Sequence, residues 1–591
     1  MTRRSTLFAA ACLFAVPVLQ AASVPSAAQR IAAQNALFEE QYESDLRSFP
    51  ERATAVGDYR YNDRLSERSL ASIEQRQRVD QEYLGKLRSI PTDGFSEQDQ
   101  LSHDLLVRSL QQRIDDFNLK TYEMPVDQME GPHTGLADLP LSVPLDSMKH
   151  YEDYIARLHQ VPRVFEQTEE VLRAGVRDHL MPVRFLLEKV PAQCQGVIAA
   201  DPFLGPTKKY PASIPAADQA RLTQQITDAV NNEVIPAYRN FAAFITNDYA
   251  AHGRTGLSIA TLPGGSARYQ NAIRGRTTTD MKPAEIHQIG LREIARIEAE
   301  MTAIAHGESF ADLAAFRASL KTNPKYIPTS SEQILDQFRT YIAQMEPKLP
   351  QLFTLLPKSP VTVEAIPAFQ AAMATHYQTG TPDGKRPGRV SVATSEFERR
   401  SLVDDEAIAY HEGIPGHHMQ LSIQQQLTGL PKFRLHGGNS AYVEGWALYA
   451  EQLGKEVGFY KDPVSDYGRL SSELFRAVRL VVDTGIHSEG WSRDQVVDFF
   501  RRSGAVDEPT IQSETDRYIA WPAQALSYKL GQLKIRELRD RAQRELGAKF
   551  DIRKFHDEII DGGALPLDVL DARTSRWIQA QKSGEQKQGG F

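Results

Sequence analysis

Cysteine is nearly missing from this chain, with only Cys12 and Cys194 among 591 residues. Cys12 falls in a leader that is expected to be removed, so an internal disulfide is excluded, and a lone thiol is a poor basis for a thiolate metal site. Basic excess is also missing. The net charge of -8 and sequence pI near 6.1 argue against nucleic-acid binding, which needs basic patches to neutralise phosphates. Small molecules or peptides fit better as partners. After the leader no stretch approaches the ~20 consecutive apolar residues of a membrane span. Gly and Pro are spread along the chain rather than concentrated, which excludes collagen-like and disordered classes. Fixed-period repeats are lacking and alternating β-type runs are scarce.

The leader itself, "MTRRSTLFAAACLFAVPVLQAAS", places Arg3 and Arg4 before an apolar run from Leu7 to Leu19 and small residues at Ala21 and Ala22. That is the layout of a secretory signal peptide over residues 1–22. The mature protein is therefore expected to be exported to a bacterial periplasm; "AAAC" at Cys12 only loosely resembles a lipoprotein cleavage box, making a lipid anchor the lesser alternative.

The chain is long enough to divide into at least two lobes. Apolar residues recur at three- and four-residue steps in "AAQNALFEEQYESDLRSF", "LDQFRTYIAQM" and "MKHYEDYIARLHQVPRVFEQTEEVLRAGV", which predicts a mainly α fold. Pro- and Gly-rich punctuation at 201–215 and 261–270 sets a soft boundary near 250. This gives a helical lobe over 29–250, a catalytic lobe over 251–580 and a flexible tail over 581–591. The best strand is "GRVSVATS", 388–395, expected to be an edge strand that can pair with an extended peptide.

Chemistry concentrates in "AYHEGIPGHHMQ", residues 409–420. Two histidines four apart on a regular helix can hold one zinc, as in H-E-x-x-H. From His411 to His417 the helix would turn about 600° and climb roughly 9 Å, too far for one ion. Pro415 cannot donate to His411 and clashes with its carbonyl, while Gly413 and Gly416 tolerate unusual backbone angles. The helix should break here. Looping out two residues makes "HE…PGH" equivalent to the regular signature, with His411 and His417 as ligands and Glu412 as general base; His418 is the alternative second ligand. In "GGNSAYVEGWALYAEQLG", Asn439 and Ser440 are capping candidates, and Glu444 lies in apolar surroundings, where a carboxylate needs a partner. Glu444 is the candidate third ligand of a two-histidine, one-glutamate zinc centre; the alternatives are a surface loop for the histidine cluster and a salt-bridged structural role for Glu444.

Together "YHEGIPGHHMQ", "YVEGWALYAE", "RLVVDTGIHSEGWS" and "RYIAWPAQALSYKLGQLKI" resemble the bacterial family called domain of unknown function 885, which looks related to the gluzincin metallopeptidases. The resemblance covers most of the mature chain. It implies a large helical fold with a deep cleft, similar in outline to thimet-type oligopeptidases and Taq-type metallocarboxypeptidases, with a small β element near the active site. It also implies one Zn2+ per chain on His411, His417 and Glu444. The signature in those relatives is H-E-x-G-H, so "HEGIPGH" departs from it by two residues.

Further candidates follow. Tyr528 can donate to an oxyanion, or be a core tyrosine with a satisfied hydroxyl. Asp483 and His487 are four apart and suit a pair behind the ligands or, at His487, a transition-state donor; a structural hydrogen bond fits as well. Arg479, Arg517 and Lys529 are candidates to hold a peptide carboxylate, although most arginines are solvated or salt-bridged. His287 suits a packing or surface position. The expected function is an exported zinc-dependent peptidase acting on short peptides, with two alternatives: an amidohydrolase acting on a non-peptide amide conjugate, and a non-catalytic periplasmic peptide-binding protein.

Overall fold

A computed structural model describes residues 25–367 and 373–584; the leader, with Cys12, and residues 585–591 lie outside them. The described chain is mainly helical, as the periodicity predicts, and its strands are confined to one small sheet. The first predicted segment forms Ala27–Ser48, where Ser26 and Gln29 exchange hydrogen bonds as a capping box. The long stretch beginning at Met148 is two helices, Met148–Leu158 and Val161–Asp178, because Pro162 is tolerated only in a first helical turn. The last helix, Leu567–Ser583, extends into the segment expected to be tail.

One apolar core is built wholly from residues between Leu65 and Ala250. Two others are drawn almost entirely from Ile297 onward, but Leu101 joins one and Val183 and Leu186 join the other, so apolar packing continues across the chain boundary near 250. No described helix is long and apolar enough to cross a membrane.

Five helices build the candidate site: α1 (Asp405–Glu412), α2 (His417–Gln426), α3 (Ser440–Glu456), α4 (Pro463–His487) and α5 (Leu526–Leu546). Helices α3 and α5 cross at two glycines: a Cβ on Gly445 would lie 2.5 Å from the Gly531 backbone. Contact this close is open only to residues without a side chain.

The sheet consists of β1 (Val361–Ala365), β2 (His376–Gln378) and β3 (Gly388–Val392) in the order β1-β3-β2. β3 runs parallel to β1 and antiparallel to β2. The strand expected at the edge is thus the central one, with both sides already hydrogen-bonded and Val390 and Val392 in the core. It has no free side for a peptide. Four of the five β3 residues are buried, which suits the central place, while β1 and β2 contain no buried residue and form the edges.

Candidate metal centre

The break expected in the histidine motif lies between α1 and α2. Gly413 and Gly416 take ψ values of -121° and -129°, and the Ile414–Pro415 peptide between them is cis. A Cβ on Gly416 would sit 2.0 Å from the His411 carbonyl oxygen, so glycine is required for α2 to start beside the end of α1. Trp446 of α3 donates its indole N–H to the Pro415 carbonyl at 2.9 Å, fixing the joint against the helix that carries Glu444.

This joint brings His411, His417 and Glu444 together. Their ligand atoms lie within 4.8 Å of one another, the one such convergence of three possible ligands among the described residues. Glu444 Oε2 is 3.6 Å from His411 Nε2 and 3.3 Å from His417 Nε2. Zinc–ligand bonds of about 2.1 Å at tetrahedral angles separate neighbouring ligand atoms by about 3.4 Å, so the donor set fits such an ion. The charge balance fits too. Burial lowers the proton affinity of His411, but the Glu444 and Glu451 carboxylates more than offset it and push its pKa up to about 9. Burial likewise opposes ionisation of Glu444, yet the two imidazoles hold its pKa well below the usual carboxylate range. Two buried imidazoles and a partly buried carboxylate thus form an electronegative focus that protons or a divalent cation can neutralise.

His418 is turned away. Its Nδ1 faces the Tyr377 hydroxyl at 3.0 Å and its Nε2 the Ser359 carbonyl at 3.0 Å, tying α2 to the sheet, and burial pulls its pKa down to about 4. A Cβ on Gly388 at the start of β3 would lie 2.7 Å from His418 Nδ1, so the small β element does adjoin the motif. Glu412 is buried beside His411, and no hydrogen bond from the described residues engages its carboxylate.

Glu451, not anticipated from the sequence, completes the arrangement. Its Oε1 lies 2.8 Å from His411 Nδ1, which places the proton on that nitrogen and leaves Nε2 as the metal-facing lone pair. The signal was present as spacing, because Glu451 follows Glu444 by two helical turns on the same face. Arg476 of α4 was also missed. It is buried and, among the described residues, donates only within its own turn to Ser472, leaves Nε without a partner and has no carboxylate within ion-pair reach; its charge bears on His411. Nothing in its local sequence distinguishes it from other arginines.

The remaining candidates are placed differently. The Tyr528 hydroxyl accepts from Arg517 Nη2 at 3.2 Å. Its helix meets α3 one turn further on, at Gly531. Arg479 donates to the Tyr518 hydroxyl at 2.9 Å and to Glu514 at 3.0 Å, and Arg517 donates to the same Glu514 at 3.0 Å, so the two arginines share one buried carboxylate. Lys529 is fully buried, with Glu473 at 2.7 Å and Glu293 at 3.0 Å. Its ammonium is committed to helix–helix ion pairs and is not available to a substrate carboxylate. Asp483 accepts from Tyr269 at 2.6 Å and from the Ala523 N–H. His487 Nδ1 accepts from the Ile259 N–H at 3.1 Å and Nε2 donates to the Tyr518 carbonyl at 2.9 Å. The main chain thus occupies both His487 nitrogens, leaving none for a transition state. His287 packs in a buried position against Thr484, 2.8 Å away.

The family described as "Bacterial protein of unknown function (DUF885)" matches residues 50–573. The chain belongs to this family. Two solved structures share the architecture of this DUF885 chain. A "putative lipoprotein from Colwellia psychrerythraea" is 28% identical, with a TM-score of 0.88 over 94% of this chain and 100% of that one. A "putative lipoprotein of unknown function from Shewanella oneidensis" is 17% identical, with a TM-score of 0.68 over 93% and 99%; at that identity the likeness concerns the fold alone. No curated protein matches the chain.

Proposed function

We propose that this DUF885 protein is an exported zinc-dependent peptidase that hydrolyses short peptides, with a gluzincin-type ligand set of His411, His417 and Glu444. The observation that carries the proposal is the convergence of those three side chains beside Glu412, with Glu451 fixing the His411 tautomer. When bound there, zinc supplies Lewis acidity, which lowers the pKa of water and polarises an acyl carbonyl. Glu412, whose carboxylate accepts no hydrogen bond from the described residues, takes the proton of the attacking water and returns it to the leaving amine nitrogen. Tyr528 accepts its bonds from Arg517 and Gln524, so its own O–H proton remains free to donate to the oxygen on which charge develops. What supports this role is that α5, which carries Tyr528, crosses the Glu444 helix one turn further on, at Gly445 and Gly531.

Export is supported by the leader and by the lipoprotein description of two similar structures. The test is cleavage of a mixed short-peptide library by the mature protein, with Glu412→Gln as the decisive variant. It should retain zinc and lose at least 100-fold in turnover, the scale on which general bases contribute. Wild-type turnover in Glu412→Gln would overturn the assignment of the base.

A further inference from the structure

The N-terminal lobe contains a cavity of about 770 Å3 whose lining residues all fall between Ser44 and Ser142. None belongs to the metal centre. Its wall combines the aromatic rings of Phe49, Phe117 and Tyr122 with the guanidinium groups of Arg68 and Arg76 and the side chain of Gln77. The volume falls in the range of small-molecule sites.

The polar groups in this wall are unequally satisfied. The carboxylates are engaged: Asp45 pairs with Arg113 at 2.8 Å and Arg52 at 3.4 Å, Asp80 with Arg113 at 3.4 Å. Glu51 accepts from the backbone and hydroxyl of Ser66, and Asp116 accepts from Asn271 at 2.6 Å and Gln112 at 3.1 Å. Arg68 and Arg76, by contrast, form no ion pair among the described residues. Arg76 donates to the Glu67 carbonyl and Ser72 and lies over the Phe49 ring, while Arg68 Nε is buried without a partner. Gln77 is 6% exposed and its Nε2 donor is also unpartnered.

Leaving buried donors of this kind unpaired is costly, and two like charges sharing one cavity add to the cost. Burial lowers the pKa of both arginines and the charge of Arg68 further disfavours that of Arg76, while Glu51 beside Arg68, and Asp80 and Glu67 beside Arg76, offset only part of this. An anion offsets these costs, and the aromatic wall suits an apolar body attached to it.

We infer that this cavity binds an organic carboxylate with an aromatic or aliphatic body, its anionic head held by Arg68, Arg76 and the Gln77 amide and its body against Phe49, Phe117 and Tyr122. The site stands apart from the proposed metal centre and does not depend on it.

The probe is phenylbutyrate, compared with its uncharged amide, by calorimetric titration of the mature protein in EDTA, so that no metal ion is present to take the carboxylate. Saturable binding of the acid is expected, with the amide and an Arg68→Gln/Arg76→Gln variant weaker by roughly tenfold or more, as loss of charge-assisted hydrogen bonds implies. Arg64→Gln, at an exposed position, and His417→Ala should bind the acid as wild type does. The inference is overturned if wild type does not bind the acid, if acid and amide bind equally, or if a folded double variant binds undiminished. Should the double variant not fold, the acid–amide comparison on wild type decides alone.

Discussion

The α3–α5 crossing predicts a large effect from one methyl group. In Gly445→Ala the new Cβ would lie 2.5 Å from Gly531 Cα and carbonyl carbon and 2.8 Å from the Gln532 nitrogen. Carbon atoms rest about 3.5–4.0 Å apart, so the helices must separate by about 1 Å. Overpacking of this kind costs roughly 1–3 kcal/mol. The effect on the candidate site is expected to be larger, because Glu444 precedes the clash and metal ligands tolerate displacements of only about 0.2 Å. Zinc affinity should fall at least tenfold. The assay is competition with a chromogenic chelator, alongside urea unfolding of the metal-free protein. Gly438→Ala is the control, since a Cβ there meets only Val443, at 3.9 Å. Wild-type zinc affinity and stability in Gly445→Ala would refute the crossing argument.

Other outcomes follow from particular contacts. Glu451→Gln should weaken zinc binding by roughly 10- to 100-fold, the usual effect of removing a carboxylate behind a ligating histidine, as read by the same chelator competition. Lys529→Met should cost about 3–5 kcal/mol in urea unfolding by leaving Glu473 and Glu293 with fewer partners; a raised KM without loss of stability would instead restore its substrate role. Burial lowers the His487 pKa to about 3 in the folded protein, against about 6.5 unfolded. Between those values only the unfolded chain takes up the proton, so stability is lost as pH falls from 6.5 towards 3. Replacing His487 with Gln should flatten the loss between pH 6.5 and 4.5 by roughly 2–3 kcal/mol; an unchanged slope would contradict the buried neutral imidazole.

The helical class and the broken histidine motif were legible because each rests on local chemistry. Apolar periodicity marks helices, and a proline with two flanking glycines cannot continue one. Glu444 was legible as a carboxylate in apolar surroundings. Lys529 and Arg479 were not, since a charged residue that lines a cleft and one that pins helices together look alike until partners such as Glu473 and Glu514 are brought in from other helices. Sheet order was equally hidden. "GRVSVATS" has the composition of a strand, but its central place depends on pairing with β1 and β2, which lie 23 or more and 10 or more residues earlier in the chain, and such pairing is not written in local composition. Glu451 shows the opposite case, a signal present in the spacing that becomes decisive only when its bond to His411 is seen.

The central claim is that His417, not His418, completes a zinc centre that hydrolyses peptides. It is tested most directly by elemental analysis of purified wild type, His417→Ala and His418→Ala, with peptide-library cleavage measured on the same samples. The account predicts about one zinc per chain and metal-dependent cleavage in wild type, both lost in His417→Ala, with zinc retained in His418→Ala. Zinc retained in His417→Ala but lost in a folded His418→Ala would contradict the ligand assignment, and a wild-type protein with neither bound metal nor cleavage under zinc-replete conditions would contradict the account as a whole.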